Sequence, residues 1–275
     1  MVIFRKFSPA PELQEIVRGI EVLHMVWEEG VAMPSPEITC LANTEQNLYF
    51  YPHEPIVAFQ TATSAPESVP FSIVTGPKVK PVKLKFGRDY LMIKVQFYPT
   101  GLYRLLGKPM QPLINIGMDA REYLDDLEPL YRLLQKEATY EMMVECINQY
   151  LSDKISKRVL PEEPIDIVAR QMLDPTLKYS LEDWAAKACL SLRQFERSFR
   201  QRVGISPKLY TRIVRFERAM RIKESNPSLS WSQVAFECDY NDSSHLLREF
   251  RQFAHFPPGS HTKFQTSGHG DFPSG

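Results

Sequence analysis

Long apolar runs are missing from this 275-residue chain, and so are clustered cysteines and any net charge. No stretch approaches the roughly 18 apolar residues that a membrane-spanning helix requires, so no membrane partner is expected. The opening residues, MVIFRKFSP (Met1 to Pro9), carry no long apolar core behind their charges and do not read as a signal peptide. Only four cysteines occur, Cys40, Cys146, Cys189 and Cys238, and they are far apart. That spacing argues against a zinc knuckle or a disulfide framework and points to a reduced, cytoplasmic setting. The six histidines, His24, His53, His245, His255, His261 and His269, include no ligand pair at helical spacing, so neither a metal nor a cofactor is expected. A nucleophile elbow, a Walker loop and a dinucleotide fingerprint are absent as well. No residue is assigned a catalytic role.

Zero net charge hides an uneven distribution. Residues 176–263 carry 15 Lys+Arg against 9 Asp+Glu, a net of +6, whereas residues 1–175 carry 18 against 23, a net of −5. A basic C-terminal half beside an acidic N-terminal half points to an anionic partner for one half only. The length and a hydrophobic content of 43% allow two packed domains.

Taken in order, residues 1–100 read as strands and turns, because frequent prolines leave little room for helices. Glu12 to Gly19 is the exception, expected as a short helix. In VKLKF (Val82 to Phe86) and LMIKVQF (Leu91 to Phe97) the apolar residues alternate with polar ones, the pattern of half-buried strands. Gly87, Arg88 and Asp89 between them suggest a hairpin. Asn47 to Tyr51 and Ile56 to Phe59 are further strands. Pro99 to Gly107 reads as a short helix, followed by a helix pair, Asp119 to about Lys136 and Thr139 to about Ser156. Their apolar stripes serve either their own core or a dimer seam. The aromatics Tyr49, Phe50, Tyr51, Phe59, Phe71, Phe86, Tyr90 and Phe97 either fill the β-core or enclose an apolar effector. Pro161 to Pro164 is a short linker, and Ile165 to Leu173 opens the basic part.

One helical pattern is then written twice. SLEDWA (Ser180 to Ala185) returns as SWSQVA (Ser230 to Ala235), offset by 50 residues. FERSFRQRVGISP (Phe195 to Pro207) returns as LLREFRQFAHFPP (Leu246 to Pro258), offset by 51. The extra residue belongs to the turn of the second copy. Each copy is expected to be a capped helix-turn-helix. Ser180 caps with Asp183 three residues on, Ser191 with Gln194, Ser230 with Gln233, and Asp242 or Ser243 caps the last helix. In the first trailing helix Leu192, Phe195 and Phe199 face inward, leaving Arg193, Glu196, Arg197 and Arg200 outside. In the second, Leu246, Phe250 and Phe253 face inward, leaving Ser243, Ser244, Leu247 and Arg248. Such a helix can enter a major groove, where a guanidinium bonds the guanine edge bidentately. A long helix from Lys208 to about Lys223 would space the two readers by about one helical turn of DNA, roughly 34 Å.

These residues resemble a known family. FRQRVGISPKLY (Phe199 to Tyr210) is similar to the F-K-x-x-x-G-x-S-P-x-x-Y run of AraC/XylS-type transcription regulators. DYNDSSHLLREF (Asp239 to Phe250) is similar to their G-F-x-D-x-S-H-F-x-R-x-F run. Asp239 stands where the family has Gly, and His255 and Pro257 replace the Gly and Ser of a second G-x-S-P. The resemblance implies an α+β chain: a mostly antiparallel β-domain with a helix pair at 1–158, then an all-α double helix-turn-helix domain at 164–264. It implies double-stranded DNA as partner, read by Arg193, Glu196, Arg197 and Arg200 and by Ser243, Ser244, Leu247 and Arg248. The first reader is expected to dominate, and the second to anchor. Activation of transcription, RNA polymerase, a small-molecule effector and a second copy of the chain follow as further expectations. TGP (Thr75 to Pro77) and FYPTGLYRLLG (Phe97 to Gly107) resemble a sensor domain attached to some of these regulators. The rival reading is a DNA-targeted enzyme such as a cysteine-based repair methyltransferase, for which Cys40 or Cys146 would have to be reactive.

Overall fold

In the computed structural model, described for residues 1–28, 30, 37–54, 56–59 and 67–255, an antiparallel β-structure precedes a helical region. The strands are β1 (Val2–Phe7), β2 (Val17–Val26), β3 (Glu37–Cys40), β4 (Gln46–Phe50), β5 (Val57–Phe59), β6 (Glu67–Ser68), β7 (Ser72–Thr75), β8 (Val82–Lys85), β9 (Asp89–Phe97) and β10 (Gly117–Asp119). Strands β1-β2-β9-β4-β7-β10 form one sheet and β3-β8-β5-β6 the other. The helices are α1 (Gly101–Leu106), α2 (Leu127–Lys136), α3 (Tyr140–Arg158), α4 (Pro164–Gln171), α5 (Leu181–Lys187), α6 (Leu192–Val203), α7 (Pro207–Ser225), α8 (Trp231–Glu237) and α9 (Ser243–Ala254). Among the described residues no helix is long and apolar enough to cross a membrane.

Period-two alternation gives the large sheet two buried faces. On β9, Leu91, Ile93, Val95 and Phe97 join the core beneath α1–α3, as the alternation predicts. Tyr90 and Met92 turn the other way and meet Tyr51, Ile56 and Phe86 between the sheets. The aromatic set therefore divides between two cores: Tyr49, Tyr51, Phe86 and Tyr90 lie between the sheets, and Phe50 and Phe97 lie under the helices. Phe71 stacks on Tyr131 of α2 with centroids 4.0 Å apart. The side chain of Phe59 is outside the described residues. Leu127, Leu130, Leu134, Met143, Ile147 and Leu151 bury the stripes of α2 and α3 in their own core, while Leu133 and Met142 remain about half exposed.

Three local expectations give way to tertiary structure. The helix expected from Glu12 to Gly19 is a single 3-10 turn at Pro11–Leu13, and β2 begins at Val17. There the strand pairs with β1 on one side and β9 on the other, and those two ladders outweigh a short helical pattern. Gly87 to Asp89 is no hairpin. It carries the chain from β8, paired with β3 and β5, across to β9 of the other sheet. A side chain at Gly87 would collide with the Glu54 carboxylate, which accepts the Asp89 N–H at 3.3 Å. The helix expected from Asp119 starts only at Leu127, because Asp119 caps a separate 3-10 turn (Ala120–Glu122) and Asp126 is left-handed, with φ 61°.

The helical region packs closely against the β-structure. Leu41 and Ala42 enter the core formed by Trp184, Phe195, Phe199 and Tyr210. The residues after Arg158 are held rather than loose. Arg104 of α1 is buried; its Nε donates to the Leu160 carbonyl at 3.0 Å, and the Leu160 N–H donates back to the Arg104 carbonyl at 2.9 Å. At the seam, Thr44 Oγ1 donates to Glu217 Oε2 at 3.0 Å. Burial pushes the Glu217 carboxyl up to about 7, and the nearby Glu45 charge adds to that. An acid whose folded pKa exceeds its unfolded value of 4.5 contributes stability below pH 4.5, and this contribution is lost as pH rises through about 7. Glu217→Gln is therefore expected to flatten the pH dependence of stability across that window. It should leave the protein about 2–3 kcal/mol more stable than wild type at pH 8, read from urea unfolding at pH 5 and pH 8. An equal effect at both pH values would contradict it.

Candidate nucleic-acid interface

Both helix-turn-helix units are built from the local chemistry visible in the chain. Ser180 and Asp183, Ser191 and Gln194, and Ser230 and Gln233 each form a reciprocal capping box. The Asp242 carboxylate accepts the His245 N–H at 2.7 Å and caps α9. Each cap of this kind is worth about 1 kcal/mol. The turns sit at residues 188–191 and 238–242, so the second is longer by the one residue that the 50/51 offset requires. Cys189 and Asp239, equivalent by that offset, both take a left-handed φ of 56°. Asp239 thus occupies the conformation that glycine would otherwise supply. Gly204 ends α6 with φ 102°, and Ser206 and Pro207 start α7. In the second copy His255 ends α9 with φ 61°; Pro257 and Pro258 lie outside the described residues.

The two units share one interior. The first half of α7 sends Tyr210, Ile213 and Phe216 into the core of the first unit, which also takes Phe250 and Phe253 of α9. Its second half, from Ala219, packs on Val234, Ala235 and Leu246. Phe216 lies 5.6 Å from Phe250 and 5.4 Å from Phe253, centroid to centroid. Having 19 residues, α7 is about 28 Å long. A helix packed into both cores fixes the relative placement of α6 and α9.

Charge on this region falls into two sets. One set is used internally. Glu249, almost fully buried, accepts Arg212 Nε at 2.8 Å, Arg215 Nη2 at 3.2 Å and the Tyr240 hydroxyl at 3.0 Å. Arg218 lies 3.8 Å from Asp239, and Arg202 binds Asp166 and Glu163. Arg212, Arg215 and Arg218 thus join α7 to α9 and to the second turn. His245 is engaged as well, 3.7 Å from Glu249 and edge-on to Tyr240.

The other set faces out. Arg193, Glu196, Arg197 and Arg200 are all exposed along α6, and Ser244 and Arg248 are exposed on α9. Ser243 and Leu247 are half-buried. Within the described residues no ion pair or side-chain hydrogen bond engages Arg193, Arg197, Arg200 or Arg248. Of the residues assigned from the sequence, all but Ser243 and Leu247 are thus exposed on two capped helices.

Two features escape the sequence. The first is a clamp from the β-structure onto the C-terminal ends of both trailing helices. Gln46 Nε2 donates to the carbonyls of Arg202 and Val203 at 3.2 and 3.3 Å, the Met110 N–H to Gln201 at 2.9 Å, and the Ala42 N–H to Phe253 at 3.2 Å. These carbonyls are among those a helix end leaves unsatisfied. The second is a cluster of His24, His53 and Asp89, whose donor atoms lie within 4.8 Å of one another. No ligand spacing marks it in the sequence, and the expectation that the chain lacks such a cluster is corrected here. Burial pushes the pKa of both Cys40 and Cys146 up, the reverse of the shift that activates a nucleophilic thiol.

Residues 184–263 match a family described as a helix-turn-helix domain, and residues 5–119 match a domain of unknown function (DUF6597). The transcriptional activator RhaS of Klebsiella pneumoniae (strain 342) is 35% identical over 72 residues, which cover 26% of this chain and 25% of RhaS. The chain thus spans a quarter of that relative's length. Among solved structures, fatty-acid-bound ToxT of Vibrio cholerae aligns over 94% of this chain and 98% of its own, at 10% identity and a TM-score of 0.47. The DNA-binding domain of AdpA, solved with a target DNA, aligns over 33% of this chain and 81% of its own, at 28% identity and a TM-score of 0.31. Residues 184–263 are an AraC-type helix-turn-helix DNA-binding domain, carried behind a domain of the DUF6597 family.

Proposed function

We propose that this protein is a cytoplasmic transcription regulator in which residues 164–264 read duplex DNA and residues 1–158 control them. The observation that carries the reading is the division of arginines. Arg212, Arg215 and Arg218 of α7 are taken up by Glu249 and Asp239, whereas Arg193, Arg197, Arg200 and Arg248 are exposed and unengaged on the two helices that a groove would receive. Arg193, Glu196 and Arg197 contact bases; Arg200 and Arg248 clamp phosphates; Ser243, Ser244 and Leu247 add a weaker preference. The likeness to RhaS supports activation, with RNA polymerase as a further partner. A gel-shift series in salt tests the DNA reading. The logarithm of affinity should fall by about 0.9 per phosphate contact for each tenfold rise in salt; an affinity indifferent to salt would point to a protein partner instead.

Control by an effector has its own support between the sheets. Lys94 is buried there, 2.9 Å from Glu21 and 3.2 Å from Glu45, and Gln96 and Asn47 also donate to Glu45. Asn47 Oδ1 and Thr75 Oγ1, cross-strand neighbours on β4 and β7, are buried without a hydrogen-bond partner. A polar small molecule would satisfy them, and the clamp at Ala42 and Gln46 links that region to both readers. Thermal-shift screening of a metabolite library should give a hit that Asn47→Leu abolishes; a library without one would favour control by dimerisation alone.

A further inference from the structure

His24, His53 and Asp89 come from three separate places in the chain. His24 lies on β2 opposite Leu91, Asp89 opens β9, and His53 follows β4. His24 Nε2 is 2.7 Å from Asp89 Oδ1, and His53 Nδ1 is 2.9 Å from the same oxygen. The two rings meet edge to face with centroids 5.1 Å apart. Two of the three residues sit in paired strands of one sheet, so their backbones are fixed by the ladder. Asp89 is held further by its N–H, which donates to Glu54.

We propose that His24 Nε2, His53 Nδ1 and Asp89 Oδ1 bind one borderline divalent cation of the Zn2+ and Co2+ class, with water completing the coordination. Two imidazoles and one carboxylate form a donor set that such ions prefer and that Mg2+ and Ca2+ do not. Donors about 2.0–2.1 Å from a tetrahedral ion stand roughly 3.3 Å from one another. Separations of 2.7 and 2.9 Å to Asp89 therefore need to open by only about half an ångström. A divalent cation bound through two imidazole nitrogens and one carboxylate gives the occupied site a net charge of +1.

The surroundings complete the argument. His24 Nδ1 lies 2.9 Å from the Tyr140 hydroxyl at the start of α3. In the Nε2–H tautomer the phenol donates to a bare Nδ1 while Nε2–H donates to Asp89. With metal on Nε2, the proton sits on Nδ1 and the phenol accepts it, so Tyr140 serves either tautomer. A ligating histidine commonly has such an outer partner. The His53 side chain is partly exposed. Tyr140 is itself held, with the Arg5 guanidinium 5.9 Å from its ring centroid.

Full-length protein stripped with EDTA and titrated with Zn2+ by calorimetry tests the site, with Co2+ absorption as a second readout. One equivalent should bind, Co2+ should give the intense visible bands of a tetrahedral ion, and Zn2+ should raise the melting temperature. His24→Gln with His53→Gln should abolish all three. Tyr140→Phe should keep the stoichiometry and weaken affinity about 10–100-fold. The outer variant keeps the test decisive should the double variant fold poorly. Absence of binding by wild type, or undiminished one-equivalent binding in either His24→Gln/His53→Gln or Tyr140→Phe, would overturn the proposal.

Discussion

Alanine at both Arg193 and Arg197 is expected to weaken specific DNA binding by about 2–6 kcal/mol, because each good bidentate base contact contributes about 1–3 kcal/mol. The expectation rests on exposure and on the lack of an internal partner. Neither side chain is needed by the fold, since Leu192, Phe195 and Phe199 supply the inner face of α6 and Ser191 and Gln194 its cap. The variant should therefore melt close to wild type while losing discrimination between operator and unrelated DNA. Arg215→Ala gives the opposite pattern. It strips a partner from buried Glu249, so its first effect is on stability. Equal loss of operator and non-specific affinity in the Arg193/Arg197 variant would reduce α6 to a phosphate anchor.

Asp166→Ala carries the largest expected cost to folding, about 3–5 kcal/mol by urea denaturation. Asp166 is buried at the start of α4, where its two oxygens accept Arg202 Nη1 at 2.9 and 3.0 Å. One of them also accepts the Glu163 N–H at 2.8 Å, closing the cap of α4. Alanine leaves a buried guanidinium with one remaining carboxylate, Glu163, and the helix start without its reciprocal bond. Arg202 belongs to the last turn of α6, whose carbonyls Gln46 holds. Loss of Asp166 should therefore loosen the clamp along with α4. A change under about 1 kcal/mol would show that Arg202 finds solvent or another partner at little cost.

The parts of this molecule that the sequence announces are those made by neighbours in the chain. A capping box spans four residues, and a 50/51 offset needs only two aligned copies, so α5, α6, α8 and α9 and their outward side chains are legible in the order of residues alone. The strand alternation of β9 is legible for the same reason. Strand partnership is not. Val82 to Phe86 and Leu91 to Phe97 look like two arms of a hairpin, yet they pair in different sheets because β3, β5, β2 and β4 offer better ladders. The role of α7 is also hidden. Its arginines read as a basic face until buried Glu249, more than 30 positions away, is seen to take two of them. His24, His53 and Asp89 escape for a like reason, since only the β2–β9 ladder and the segment after β4 bring them together.

The most direct test of two coupled readers is selection of bound sites from a random duplex library by wild type, by Arg193→Ala/Arg197→Ala and by Ser244→Ala/Arg248→Ala. Wild type should enrich a bipartite site whose halves lie about one helical turn apart, roughly 10 base pairs. The first variant should erase the stronger half and the second should blur the weaker. No enriched sequence with wild type, or the same bipartite site from all three proteins, would contradict the account.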